Sequence, residues 1–281
     1  MIIDSHTHIF PSAICRNRDN YFPSEPAFEL LYQSSKSRLI GALELLDAMD
    51  ENEVDKAVIF GFPWKNSEIF RIHNDYIMEM VQKYPHRFSG LGCFDPAAGG
   101  AVAETERCLD GGLAGIGELA FYQGGIDESA LKQLAPIMKI CADRDLPVLI
   151  HANEPVGHAY HGKTPITLIQ IYRLVKRFSE TKIVLAHWGG GLFFYSLMKR
   201  DVKETLTNVF FDTAASPFLY DPDIYQIAVR LIGVEKILFG SDYPLLPPAR
   251  YFGEMRETGL TKPQIDKICG GNAEKLLKFA N

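Results

Sequence analysis

No C-x-x-C pair occurs in the chain, and its five cysteines (Cys15, Cys93, Cys108, Cys141 and Cys269) are odd in number and scattered. That pattern excludes a disulfide framework and a thiolate zinc site; it reads as free thiols in a reducing compartment. Apolar runs stop far short of the ~20 residues that a bilayer-spanning helix needs. No basic stretch followed by an apolar core opens the chain, so no signal peptide is expected and a cytoplasmic location is. Runs of like charge are missing too, and the net charge of −6 argues against a general nucleic-acid binder. What remains is ordinary globular material, 47% hydrophobic and 23% charged over 281 residues, enough for one large core.

That material alternates between two patterns. Short apolar runs with little polar interleaving fall at 1–8, 55–62, 88–94, 113–121, 146–153, 181–188, 208–214 and 235–242. Such runs fit strands buried on both faces of a parallel sheet. Segments of helical period fill the gaps, at 39–51, 69–84, 101–110, 129–145, 165–178, 192–204, 222–233 and 248–257. A last helix is expected over 262–279, broken at Gly270-Gly271, with Pro165, Pro222 and Pro263 in first turns of their helices. Eight strand–helix pairs fill the length, which predicts an α/β chain with a (β/α)8 TIM barrel as a single domain over 1–281. Residues 9–38 break the rhythm as a long insertion between the first strand and its helix. In a barrel that loop belongs at the C-terminal mouth, and a substrate-covering role is expected for it.

Chemistry gathers at the strand ends. In MIIDSHTH the alternation puts Asp4, His6 and His8 on one face of a strand, with Ser5 and Thr7 turned toward the surrounding helices. His151 lies late in the fifth strand, His187 in the sixth, Glu118 in the fourth, and Asp242 closes the eighth. Imidazoles and carboxylates are costly to bury beside Val and Ile unless they are paired or hold a metal. This nitrogen and oxygen set suits Zn²⁺, Mn²⁺ or Fe²⁺. His73 and His86 are expected to be solvated, and His158 and His161 to lie in a loop. Arg16, Arg18, Lys36 and Arg38 in the insertion read as solvated surface charge or as cations for a substrate carboxylate. Phe62, Trp64, Phe94, Tyr122 and Tyr243 near strand ends suggest an aromatic-lined pocket, with Trp188 packing at its rim.

Taken together, D-x-H-x-H on the first strand, the Glu and two His on strands four to six, the terminal G-S-D-Y-P and the late GGNAEKLL resemble the amidohydrolase superfamily. The match is closer to its amidohydrolase-2 branch, which includes aminocarboxymuconate-semialdehyde decarboxylase with related lactonases, hydratases and aromatic-acid decarboxylases. The resemblance implies that His6, His8, His151 and Asp242 hold one divalent metal, usually zinc, with His187 as an unliganded acid/base. Glu118 leaves a second arrangement open, in which it bridges two metals and His151 and His187 hold the second. One ion is preferred. Asp4 is expected to support the site from below.

The first functional expectation is hydrolysis of a small amide, lactone or related carboxylic derivative by metal-activated water, with Asp242 moving the proton. Non-oxidative decarboxylation of a carboxylic or aromatic acid is the alternative, and a homodimer is common in the branch. PHP-type phosphoesterases open with the same motif but complete their site with a late D-x-H, which this chain lacks after His187. A metal-holding barrel without an open coordination position is the non-catalytic rival.

Overall fold

Val, Ile, Leu and Phe dominate the eight apolar runs, and each run forms a parallel strand in the computed structural model, which describes residues 1–277 and Phe279. The strands are β1 (Ile3–His8), β2 (Lys56–Phe60), β3 (Phe88–Gly90), β4 (Ile116–Leu119), β5 (Val148–Ile150), β6 (Ile183–Leu185), β7 (Val209–Asp212) and β8 (Ile237–Leu238). Each is shorter than its run, because the flanking residues leave the ladder to build the loops. Hydrogen bonding joins them as two parallel sheets, β1-β2-β3 and β4-β5-β6-β7-β8. Single bridges, Thr7 with Tyr243 and Gly92 with Ile116, connect the two sheets at both seams. Ser5 N–H to Phe239 O (2.8 Å) and Gly117 N–H to Gly92 O (2.8 Å) reinforce them. The ring is therefore closed as a barrel.

Strand residues divide between two apolar clusters according to parity. Ala57, Ile59, Val148, Ile150, Ile183 and Leu185 pack in the larger cluster with the helices. Val58, Phe60, Leu149, Val184 and Leu238 form the inner one, with Ala273, Leu276 and Leu277 from the C-terminal segment. Phe60 meets His6 and His8 edge-on, at ring separations of 5.0 and 4.7 Å, so both imidazoles rest on the inner apolar layer.

The helices follow the expected order, with three local differences. Over 192–204 only Val202–Thr205 is α-helical, because His187–Leu197 winds as tight turns in which His187, Trp188 and three glycines have positive φ. A Cβ at Gly190 would lie 2.3 Å from Asn153 O, so only glycine fits there. The last helix is not broken at Gly270-Gly271: Lys262–Asp266 passes through a π-type turn at Lys267–Gly271 into Asn272–Leu276. Gly270 is there for close approach, since a Cβ would meet Met1 O at 2.4 Å. Lys278, in the predicted end of that helix, lies outside the described residues. Pro263 sits in a first helical turn, whereas Pro165 and Pro222 precede theirs, at Leu168–Arg177 and Ile224–Ile232.

Residues 9–38 carry short helices at Ser12–Arg16, Arg18–Asn20, Phe22–Ser24 and Pro26–Tyr32. Arg18 fastens the segment by donating to the carbonyls of Tyr32 (3.2 Å), Ser34 (3.4 Å) and Ser37 (2.7 Å). Among the described residues, no helix is long and apolar enough to cross a membrane.

Candidate metal centre

The strand-end residues meet at one mouth of the barrel. His6 and His8 reach it from β1, Glu118 from β4, His151 from the residue after β5, His187 from the turn after β6, and Asp242 from the loop after β8. Nε2 of His6 lies 3.7 Å from Glu118 Oε2 and 3.5 Å from Asp242 Oδ1. The corresponding distances for His8 Nε2 are 3.7 and 3.4 Å. Across the cluster, Glu118 Oε1 faces His151 Nδ1 at 2.9 Å and His187 Nε2 at 3.5 Å. Glu118 thus turns one oxygen to each pair of histidines.

Each imidazole is fixed from behind by an oxygen outside the cluster. His6 Nδ1 is 2.8 Å from Asp212 Oδ2, and His8 Nδ1 is 3.2 Å from Gly61 O. His151 Nε2 is 3.0 Å from Gly162 O, and His187 Nδ1 is 3.0 Å from Ala214 O. A nitrogen beside such an oxygen must carry a hydrogen, so a neutral ring turns its lone pair inward. Four inward lone pairs facing two carboxylates repel one another unless positive charge fills the space. His6 Nε2, fully buried, has no hydrogen-bond partner.

The electrostatics make the same demand. Burial alone would lower the pKa of His6, yet the carboxylates of Asp212, Glu118 and Asp242 lift it to about 10. His187 rises to about 9, with Glu118 and Asp242 again outweighing burial. Against the opposing effect of burial, the facing histidines hold Glu118 well below the usual carboxylate range and lower Asp242. Donor atoms within 4.8 Å of one another fall, among the described residues, into the groups His6–His8–Glu118, His6–His187–Asp242 and Glu118–His151–His187. The nitrogen and oxygen donors, the fixed rings and the orphaned His6 Nε2 fit a divalent cation.

Supporting residues complete the floor and wall. Asp4 accepts the N–H groups of Ser241 (2.9 Å) and His6 (3.2 Å) together with the Ser241 hydroxyl, which holds the turn carrying Asp242. Burial raises Asp4 to about 6. Ser5 and Thr7 bond neighbouring backbone, donating to Phe239 O (2.6 Å) and Val58 O (2.8 Å). Phe62 stacks on Tyr122 at 6.2 Å and meets Tyr32 edge-on at 6.0 Å, while Tyr122 lies 6.1 Å from His151. Burial and the charges of Asp242 and Glu118 raise the phenol of Tyr32.

Other expectations are corrected. His73 is buried rather than solvated: Trp64 Nε1–H donates to its Nδ1 (2.9 Å) and its Nε2–H to Ile9 O (2.7 Å). Trp64 and Phe94 are fully buried in the larger core, and Trp188 donates to Ser216 Oγ at 2.8 Å. Arg16 bonds Ser12 within its own helix, whereas Arg38 lies over the ring of Tyr243 at 5.8 Å. His86 is exposed, as expected, and so are His158 and His161 in the loop after β5. Asp212 was not expected at the site; its only signal was a charged residue ending an apolar strand, in NVFFD, as Asp242 follows another.

A parallel β/α barrel with histidines and carboxylates converging at the C-terminal ends of its strands defines a metal-dependent enzyme fold of the amidohydrolase kind. A family model described as Amidohydrolase matches residues 3–279, and the chain belongs to that family. It is 25% identical over 261 residues to 2-amino-3-carboxymuconate-6-semialdehyde decarboxylase of Dictyostelium discoideum, covering 78% of this chain and 70% of that protein. Against gamma-resorcylate decarboxylase of Polaromonas sp. (strain JS666) it is 27% identical over 257 residues, covering 76% and 77%. The fold matches 5-carboxyvanillate decarboxylase of Novosphingobium aromaticivorans with a TM-score of 0.78 at 18% identity, covering 98% of this chain and 95% of that one. That crystal holds manganese and 4-hydroxy-3-methoxy-5-nitrobenzoic acid.

Proposed function

We propose that the chain is a metal-dependent decarboxylase that releases CO2 non-oxidatively from a small aromatic or unsaturated carboxylic acid. The observation that carries this reading is the set of inward-turned imidazoles and carboxylates in a chain whose two curated relatives above are named decarboxylases. They favour decarboxylation over the hydrolysis expected first. One divalent cation would be held by His6, His8 and Asp242, with Glu118 and His151 completing the set. Manganese is the first ion to test, on the precedent of the Novosphingobium relative, and zinc the second.

When bound, the cation supplies a Lewis acid that favours negative charge on a substrate oxygen. His187, its ring fixed by Ala214 O, presents Nε2 to the cluster and protonates the carbon that bears the carboxylate. The C–CO2 bond then breaks, its electron pair returns to the unsaturated system and CO2 leaves, with a C–H bond in place of the C–C bond. No oxidant is required. Asp242 exchanges the proton with solvent. Tyr32, Phe62 and Tyr122 form a wall suited to a planar acid.

Mn²⁺-loaded protein incubated with hydroxybenzoates and carboxymuconate-type acids is expected to evolve CO2 in step with substrate loss. His187→Asn should lower kcat by about 10²–10⁴-fold with metal content unchanged. Hydrolysed product without CO2 would overturn the reading.

One observation favours a second reading. Glu118 directs Oε2 to His6 and His8 and Oε1 to His151 and His187, as a bridge between two cations would. That arrangement makes His187 a ligand and returns hydrolysis to first place. Elemental analysis decides: one equivalent supports the decarboxylase with His187 free, two equivalents the bridged hydrolase.

A further inference from the structure

Asp212 touches no space that a substrate can reach, yet both histidines assigned opposite tasks above depend on it. Its carboxylate is wholly buried and surrounded by donors. Oδ2 lies 2.8 Å from Nδ1 of His6. Oδ1 accepts the backbone N–H of His187 at 2.8 Å and that of Ala214 at 3.0 Å. Ala214 in turn offers its carbonyl to the ring of His187 at 3.0 Å. One side chain therefore sets the ring of His6 and, through backbone, both the main chain and the ring of His187.

Two properties make this more than packing. A carboxylate is acceptor-only when ionised, so Nδ1 of His6 must be the N–H and Nε2 is left to face Glu118 and Asp242. His187 also stands where the chain turns left-handed, at φ 53°, and the run continues through Trp188 and three glycines to Gly191. Non-glycine residues resist that conformation, so the first of them needs an anchor. Oδ1 of Asp212 provides one.

We infer that Asp212 is a positioning residue for the reaction: it selects the His6 tautomer that can bind a cation and seats His187 opposite. The inference rests on reading His6 as a cation ligand. Asparagine is the informative substitute because it keeps the shape and one carbonyl oxygen for the backbone N–H groups. Its amide would instead present N–H to Nδ1 of His6, which would leave the ring's remaining hydrogen on Nε2, inside the cluster.

The test compares wild type, Asp212→Asn and Thr181→Val. Thr181, buried just before β6 and so at the barrel end away from the mouth, donates its hydroxyl to Met138 O (3.2 Å) and serves as the structural control. Mn²⁺ affinity is measured by calorimetry and folding by thermal unfolding. Asp212→Asn is expected to weaken Mn²⁺ binding by about 10–100-fold, whereas Thr181→Val loses stability with affinity intact. Equal affinity in Asp212→Asn and wild type overturns the inference, as does a loss that follows stability in both variants. If Asp212→Asn does not fold, Asp212→Glu, which keeps the charge but moves the oxygens by a methylene, should show the same loss. Proton NMR supplies a readout independent of metal: the His6 Nδ1–H signal, assigned by its absence in His6→Asn, must leave its low-field position in Asp212→Asn, because the carboxylate acceptor is gone. Wild type that binds no Mn²⁺ overturns the ligand reading of His6, and whether that signal keeps its low-field position then judges Asp212.

Discussion

His73 lies away from the histidine–carboxylate cluster and titrates in the opposite sense. The side chain is buried, its Nδ1 accepts from Trp64 and its Nε2–H donates to Ile9 O, so the folded state holds it neutral. Burial lowers its pKa from 6.5 to about 4. In the unfolded chain His73 takes up a proton near pH 6.5, while in the folded one it does so only near pH 4. Between those values the unfolded state binds more protons, so stability falls as pH falls. Across the window this amounts to about 3 kcal/mol, at about 1.4 kcal/mol per pH unit. Urea unfolding of metal-free protein, followed by far-UV circular dichroism from pH 4.5 to 8, gives the slope. His73→Gln supplies an acceptor and a donor but cannot titrate. It is expected to be less stable at pH 8 through imperfect packing, and to lose about one proton's worth of slope below pH 6.5. Identical slopes in the two proteins would refute the assignment.

The cluster makes the opposite prediction. Folding raises His6 to about 10 and His187 to about 9, so their contribution in metal-free protein is complete below pH 6.5 and declines as pH rises through 9 and 10. Unfolding profiles should therefore fall above neutrality and flatten when Mn²⁺ is added. If His6 is a ligand, as proposed, cation binding displaces its proton: calorimetry at pH 8 in buffers of different ionisation enthalpy should report about one proton released, and about two if His187 is also a ligand. Gly117, with φ +138°, has Leu149 O only 2.4 Å from where a Cβ would stand. Gly117→Ala is expected to cost at least about 1–3 kcal/mol and to displace Glu118, read as a lower unfolding temperature together with weaker metal binding.

Periodicity carried the architecture because a strand buried on both faces and a one-sided helix are written in the order of apolar residues. It failed where backbone, not side-chain burial, decides. The helical pattern of LFFYSLMKRDVKE could not reveal that HWGGG just before it winds left-handed, nor that Gly270 is needed for contact with Met1 O. At the site, His6, His8, Glu118, His151, His187 and Asp242 were legible because each is a costly residue at the end of an apolar run. Asp212 had the same signal but no motif around it. His73 was misread because its partners, Trp64 and the carbonyl of Ile9, come from segments that only the fold brings to its helix. Arg18 is neither the solvated charge nor the substrate cation that its place in the insertion suggests, because it ties together three carbonyls that only the folded loop brings to it.

The barrel closes through two narrow seams, each with one ladder bridge, and the cluster straddles one of them. His6 and His8 belong to the three-stranded sheet, while Asp242 follows the last strand of the other and donates its N–H to His6 O at 3.0 Å. Donors from both sheets holding one ion would staple that seam, at the place where so few backbone bonds resist local opening. In hydrogen–deuterium exchange, the amides of Ser5, His8 and Asp242 should then slow on metal loading, while Gly92 and Ala114, which bond Gly115 O and Gly90 O at the opposite seam, keep their rates.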